Sequence, residues 1–411
     1  MPSALNSLSV TLSMGSQPIQ KVVAERLQSD GRLRRILAFP AGVEILDPTG
    51  AEGLELVRSY RRYRVINRLM WAAWRRLPGS WRAWNMPIAL STAYADRLAS
   101  RWVPPCAIFH GWTGNCLACI KRARQFGALV VIEQATAHPN DWQEAVLEEC
   151  ERFGVRPREC RAILPVPLMR RMEREFEQAD AIIVPSQIAC KSFERAGYAD
   201  RTIVAHGGVD HHFFTPPSRP VPRDPFRVCY AGRVELLKGI PYLLQAWNQL
   251  ALAKAELVLI GEVAFEMRGF IAQWALPNVR LLGFMSPIEL AKVYRDSHLL
   301  VFPSVNEGLA RVLFEAMSSG LPVVATELSG ADDCITEGIE GAVVPARNVP
   351  ALANAILWHY NNPESSTAMG RAARSKIEHQ FTLSHYVDRV TGIYRAAVDK
   401  SLTAEVEPTP P

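Results

Sequence analysis

Two glutamates eight residues apart set the first constraint on chemistry. Leu299 to Thr326 reads LLVFPSVNEGLARVLFEAMSSGLPVVAT, with Glu307 in a polar loop and Glu315 in the apolar-periodic run that follows. The pattern predicts a buried strand ending at Pro303 and a helix opening at about Leu309. Eight residues are slightly over two helical turns, so both carboxylates can face one ligand. The first turn of such a helix presents unpaired N–H groups and the positive end of its dipole. That suits an anion such as a diphosphate. The acids beside it can accept hydrogen bonds from sugar and ribose hydroxyls.

A second set of candidates lies earlier. Val131–Trp142 reads VIEQATAHPNDW. A strand should end near Glu133, with His138 in the loop beyond. A histidine at the carboxyl end of a strand can face a cleft and hydrogen-bond a sugar. His138 is therefore the first candidate of this half. The alternative is a loop histidine capping a turn before Pro139. Glu133 ranks below it. His110, in FHGWTGN, lines the cleft or is a buried structural histidine.

These residues need a scaffold of alternating short apolar runs and amphipathic stretches, the pattern of α/β folds with parallel sheets. Leu8–Met14, Arg35–Phe39, Ala107–His110, Ala128–Glu133 and Ala181–Pro185 read as strands, and Ile19–Ser29 as a helix. Thr215–Pro225, TPPSRPVPRDP, holds five prolines in 11 residues. Proline fixes φ and removes a donor, so this is a stiff, extended connector. The alternation then restarts. Phe226–Ala231, Ala255–Ile260, Val279–Leu282, Leu299–Pro303, Pro322–Ala325 and Ala342–Val344 read as strands. Gly239–Leu252, Pro287–Asp296, Leu309–Ser319 and Val349–Asn361 read as helices. At 411 residues the chain suits two domains of about 200 residues each. Their expected spans are 1–206 and 207–382. A last helix near 383–400 should pack back on the first domain, and 401–411 should be a disordered tail. Paired sheets of this kind bind ligands in the cleft at the carboxyl ends of their strands.

Composition narrows the class. Hydrophobic residues make up 48% and charged residues 21%, ordinary for a globular protein. No apolar run approaches the roughly 18 residues of a membrane span. The start, MPSALNSLSVTLSMGSQ, reads as a first strand and not a signal peptide, so a cytoplasmic location is expected. Cys116 and Cys119 form a C-x-x-C without a second pair at metal-site spacing. That argues against zinc and for buried thiols. The net charge is +5, yet the eight arginines between Arg58 and Trp84 leave −3 for the rest (5 minus 8). The basicity is local, which argues against nucleic acid as a partner. In that segment the arginines mix with Trp71, Trp74, Trp81 and Trp84. This is the composition of an interfacial helix on an anionic membrane surface, of an anionic-acceptor site, or of a core-packed helix with a charged outer face.

The E-x7-E element from Glu307 to Glu315 resembles that of glycosyltransferase family 4. The resemblance runs through AGRVELLKG (Ala231–Gly239), LLGFMS (Leu281–Ser286) and SGLPVVATELSGADDCITEGIEGAVVP (Ser319–Pro345). It implies a GT-B fold: two Rossmann-like doubly wound domains facing across a cleft. It implies a retaining glycosyltransferase that moves a sugar from a nucleotide-diphosphate donor to a hydroxyl acceptor, with no cofactor and no metal requirement. Arg233 and Lys238 would bind the diphosphate and stabilise charge on the departing nucleotide. Glu315 would hold the ribose and Glu307 the donor sugar. Main-chain N–H groups of Gly308, Leu309, Ala310, Arg311 and Val312 would contact sugar and phosphate, and Phe284 and Met285 would border the base. Gly15, after the first strand, would allow close approach to the phosphates. Two departures bear on the donor sugar and its surroundings. Leu309-Ala310 stands where the family often has Phe-Gly, and Glu262-Val263 follows Gly261 where a second glycine is common. The rival readings are an epimerase or phosphorylase on the same scaffold, and a catalytically silent module that docks at membranes.

Overall fold

The computed structural model describes residues 9–14, 18–38, 86–273 and 278–404, with single positions between 65 and 76. Gly15 and the four tryptophans of the Arg58–Trp84 segment lie outside the described residues. Strands β1 (Val10–Met14), β2 (Leu33–Ala38), β3 (Ile108–Trp112), β4 (Leu129–Glu133), β5 (Ala181–Val184) and β6 (Thr202–Val204) form one sheet. Strands β7 (Phe226–Ala231), β8 (Ala255–Ile260), β9 (Val279–Gly283), β10 (Leu299–Phe302), β11 (Val323–Thr326) and β12 (Gly341–Val344) form the other. Every pairing is parallel. Central strands such as LVVIE in β4 and AELVLI in β8 are buried along most of their length. That is what helices on both faces of a parallel sheet require.

Strand order fixes where ligands can sit. The first sheet runs β2-β1-β3-β4-β5-β6 and the second β12-β11-β10-β7-β8-β9. The chain leaves β7 toward β8 and β9, then returns to β10 on its other side. The loops after β7 and β10 therefore part at their carboxyl ends and open a crevice, the switch point of a doubly wound sheet. Arg233 and Lys238 follow β7, and Glu307 follows β10.

The two units are tied at several places. Helix Leu383–Ala404 buries Tyr386, Val387, Val390, Ile393 and Tyr394 against β1, β3 and β5 of the first sheet. It continues four residues into the stretch expected as a tail. Helix Pro139–Arg152 belongs to the first unit by sequence, yet its Ala145, Val146 and Cys150 join the second unit's core. Its buried Glu149 accepts from Arg347 Nε at 2.7 Å and from the Tyr242 hydroxyl at 2.8 Å. The proline-rich strap is laid on the second unit, where Arg223 donates to the His359 carbonyl at 2.8 Å. The crossing between units sits earlier, where the Val209 amide donates to the Phe381 carbonyl at 2.9 Å. Several elements escaped the sequence reading, among them helices Met86–Ala99, Pro139–Arg152 and Gln187–Arg195 and two more with a physical reason. β6 is only TIV, and helix Pro363–Gln380, PESSTAMGRAARSKIEHQ, shows little apolar periodicity.

Cys116 caps helix Leu117–Arg124 and Cys119 lies within it, both fully buried free thiols. Among the described residues no group of three or more His, Cys, Asp or Glu is gathered to hold a metal, and no helix is long and apolar enough to cross a membrane.

Glu175 anchors the loop after β3 from below. It is fully buried, accepts the Cys116 amide at 2.9 Å and the Gly114 amide, and lies 3.4 Å from Arg171 Nε. Burial still pushes its carboxyl up to about 7, against the pull of Arg171 and the amides. A raised carboxyl binds its proton more tightly in the folded chain. Its contribution is full below the unfolded value near 4.5 and is lost as pH rises through about 7. The difference is on the order of 3 kcal/mol. The wild-type melting temperature should therefore contain a fall between about pH 5 and pH 8 that Glu175→Gln flattens. An unchanged slope in the variant, measured by calorimetry across that range, would contradict this assignment.

Candidate functional site

At the base of that crevice the loops after β7 and β10 are held to each other by backbone contacts. Gly239 has φ +68°, and a Cβ there would lie 1.9 Å from the Pro303 carbonyl oxygen, so only glycine fits. The Leu237 carbonyl accepts from the Val305 amide at 3.0 Å and from Ser304 Oγ at 3.1 Å. These contacts fix the short 3-10 turn Leu236–Lys238 beside the strand end before Glu307.

Lys238 Nζ and the Glu307 carboxylate form an ion pair at 13% and 15% side-chain exposure. Arg233 lies five residues earlier on the same loop. Its Nη1 reaches Glu235 Oε2 at 2.9 Å, and its carbonyl accepts the Tyr230 hydroxyl at 2.7 Å. Each cation is thus held by a carboxylate. A diphosphate would displace or share those partners, which keep the cations in place without it.

Helix Arg311–Ser318 starts two residues later than the sequence suggests. Leu309 and Ala310 are buried and non-helical. The reason lies in their neighbours. Ser186 Oγ donates to the Gly308 carbonyl, and Gly330, in a left-handed turn, presses on Gly308 and Leu309. The N-cap is Ala310, which has no side chain to turn back on the first-turn amides. The helix end therefore keeps its dipole directed at the crevice.

Glu315 is 7% exposed and sits inside that helix. Its Oε2 accepts the Tyr294 hydroxyl at 3.3 Å, and Oε1 lies 3.4 Å from Arg311 Nη2. Burial raises its pKa, while Arg311 and Tyr294 pull it down. Phe284 is 86% exposed beyond β9, whereas Met285 packs on the second unit's core.

His138 does not present its ring to an open cleft. It is 1% exposed and caps helix Pro139–Arg152, its Nδ1 accepting the Asn140 amide at 3.3 Å. Phe176, Phe193 and Tyr198 surround the ring, and Nε2 stands 3.3 Å from a Glu173 oxygen. Burial lowers its pKa, so it stays neutral near pH 7. His110 and Glu133 are also occupied. His110 Nδ1 lies 2.6 Å from the Tyr394 hydroxyl, and Glu133 accepts the Tyr386 hydroxyl at 2.7 Å. Both tie the last helix to the first sheet.

The first unit does reach the crevice, through its backbone and one ring. A Cβ on Gly308 would lie 2.1 Å from the Ala135 carbonyl oxygen and 2.7 Å from Pro185 Cγ. The Trp142 ring centroid lies 5.7 Å from Lys238 Nζ. Sequence reasoning passed over Trp142. The signal available was an aromatic residue in the first helical turn beyond β4.

Comparison with known proteins agrees with this architecture. Residues 214–376 match the family described as Glycosyl transferases group 1. D-inositol 3-phosphate glycosyltransferase of Pseudarthrobacter chlorophenolicus is 32% identical over 218 residues, covering 49% of this chain and 51% of that protein. Alpha-D-kanosaminyltransferase of Streptomyces kanamyceticus is 29% identical over 173 residues, covering 41% and 45%. The chain spans about half the length of the curated relatives it matches. Among solved structures, Anabaena Alr3699/HepE in complex with UDP superposes with TM-score 0.61 at 17% identity, over 94% of this chain and 99% of that one. Sucrose-phosphate synthase from Thermosynechococcus elongatus gives 0.63 at 16%, over 95% and 99%. At those identities the likeness is one of fold. Residues 214–376, which carry the second of the two doubly wound parallel sheets, are the part that matches the group 1 glycosyl transferases, and the chain has the GT-B fold of these solved structures.

Proposed function

We propose that the protein transfers a sugar from a nucleoside-diphosphate donor to a hydroxyl acceptor with retention of configuration, as family 4 enzymes do. The observation that carries this reading is the Lys238–Glu307 ion pair at the switch point of the second sheet, beside the end of the helix that holds Glu315. Lys238 and Arg233 supply the positive charge for the departing diphosphate. Main-chain amides at the start of helix Arg311–Ser318 add to it. In this reading Glu315, which the structure holds between Tyr294 and Arg311, accepts from ribose hydroxyls, and Glu307 from those of the donor sugar. In a retaining front-face reaction the C1–oxygen bond to the diphosphate breaks and the acceptor oxygen bonds to C1 from the same side. The acceptor's proton passes to the leaving phosphate. With Arg233, Lys238 and the helix-end amides available to the diphosphate, the reaction is proposed to run without a metal.

UDP-sugars are the first donors to try, because a fold relative holds UDP. The relatives' names favour transfer over epimerisation or phosphorolysis. The Arg58–Trp84 segment is proposed to hold the enzyme peripherally on an anionic, cytoplasmic membrane face. The test is one assay: nucleoside diphosphate release from a panel of nucleotide sugars and hydroxyl acceptors, with chelator, with and without anionic vesicles. Expected are acceptor-dependent release, an anomeric product signal by NMR matching the donor's configuration, and co-sedimentation with the vesicles. An inverted product would remove the retaining reading, and no release from any donor would remove the transfer reading. Protein left in the supernatant would remove membrane docking.

A further inference from the structure

Trp142 stands where the two units meet over Lys238. Its backbone lies in the first turn of helix Pro139–Arg152, in the unit built on the first sheet. Its half-buried ring packs on the core of the other unit. The indole N–H donates to the Ala162 carbonyl at 2.9 Å, which fixes the ring plane, and the Lys238 ammonium lies 5.7 Å from the ring centroid. Tryptophan has the strongest face potential for a cation, and this distance is within the range where the attraction acts. The Lys238 ammonium thus has two partners, the Glu307 carboxylate and the Trp142 ring. An incoming diphosphate competes with the carboxylate but not with the uncharged ring. Between β4 and that helix, the Ala135 carbonyl also lies against Gly308.

We propose that Trp142 is a positioning residue for donor binding. It holds the Lys238 ammonium at the diphosphate site, so that the site is complete only while the two units are in contact. The inference rests on the reading of Lys238 as a diphosphate-binding cation.

The experiment is a thermodynamic cycle on the full chain, with uridine diphosphate as probe and calorimetry as readout. Wild type, Trp142→Leu, Trp142→Phe, Lys238→Ala and the double variant Trp142→Leu/Lys238→Ala are compared. Trp142→Leu should weaken binding about five- to tenfold, and Trp142→Phe should recover most of that. In the Lys238→Ala background Trp142→Leu should cost less than about twofold, because the group it acts on is gone. If Trp142→Leu does not fold, Trp142→Phe with and without Lys238→Ala closes the same cycle at smaller amplitude. Equal losses in both backgrounds, or no loss from either tryptophan variant while Lys238→Ala weakens binding, would overturn the role of Trp142 and leave the diphosphate site standing. A wild-type protein that binds no nucleoside diphosphate would overturn the site itself and this inference with it.

Discussion

Lys238→Ala is expected to lower kcat/KM for the nucleotide-sugar donor by about 10²- to 10³-fold, the usual cost of removing one preorganised partner of transition-state charge. Two effects add. The departing diphosphate loses a cation, and Glu307 loses its counter-ion at 15% exposure. The second effect alone would shift the melting temperature and leave the ratio of donor affinities unchanged. Lys238→Arg separates them. It keeps the charge but not the compact ammonium, so it should restore the melting temperature and only part of the rate. Steady-state kinetics and a melting curve on the three proteins decide the matter. Near-wild-type kcat/KM in Lys238→Ala would remove this residue from the mechanism.

Gly308→Ala should be nearly as damaging for a purely steric reason. The added Cβ would fall 2.1 Å from the Ala135 carbonyl oxygen and 2.7 Å from Pro185 Cγ. Both neighbours belong to the other unit, and one is backbone, so the units must part or the Glu307 loop must shift. The Gly308 carbonyl is itself held by Ser186 Oγ. A displacement of about 1 Å at a reacting centre costs on the order of 10²-fold in rate. The expected result is that loss in kcat with a folded protein, together with a change in the small-angle scattering profile toward a more open particle. An unaltered rate would show that the two units do not touch at this glycine in the working enzyme.

The contrast between Glu307 and His138 shows what the sequence makes legible. The loop and helix around Glu307 are announced by local signals: an apolar strand, a polar break, then apolar periodicity. β7 and β8 are legible to the residue for the same reason, since each is one unbroken run between polar ends. His138 carries equally clear local signals, the end of a strand and a proline, but its surroundings come from Phe176, Phe193 and Tyr198 on other elements. No local pattern reveals that cage. The Glu315 helix starts later than its local pattern suggests for a similar reason, because Ser186 and Gly330, distant in sequence, hold Gly308 to Ala310 out of helical conformation. The partners of Arg233 and Lys238 were invisible for a related reason. Glu307 reads from sequence as a ligand for the donor sugar and Glu235 carries no reading at all, whereas in the structure they hold Lys238 and Arg233.

Four side chains, Arg233, Lys238, Glu307 and Glu315, are proposed to form one nucleoside-diphosphate site. A crystal structure of the full chain with a nucleoside diphosphate tests it most directly. The phosphates should lie against Arg233 and Lys238 at the start of helix Arg311–Ser318, with the ribose on Glu315 and the Lys238–Glu307 pair opened or shared. A nucleotide bound away from the carboxyl ends of β7 and β10, or with Glu315 still closed on Tyr294 and Arg311 and touching no hydroxyl, would contradict it.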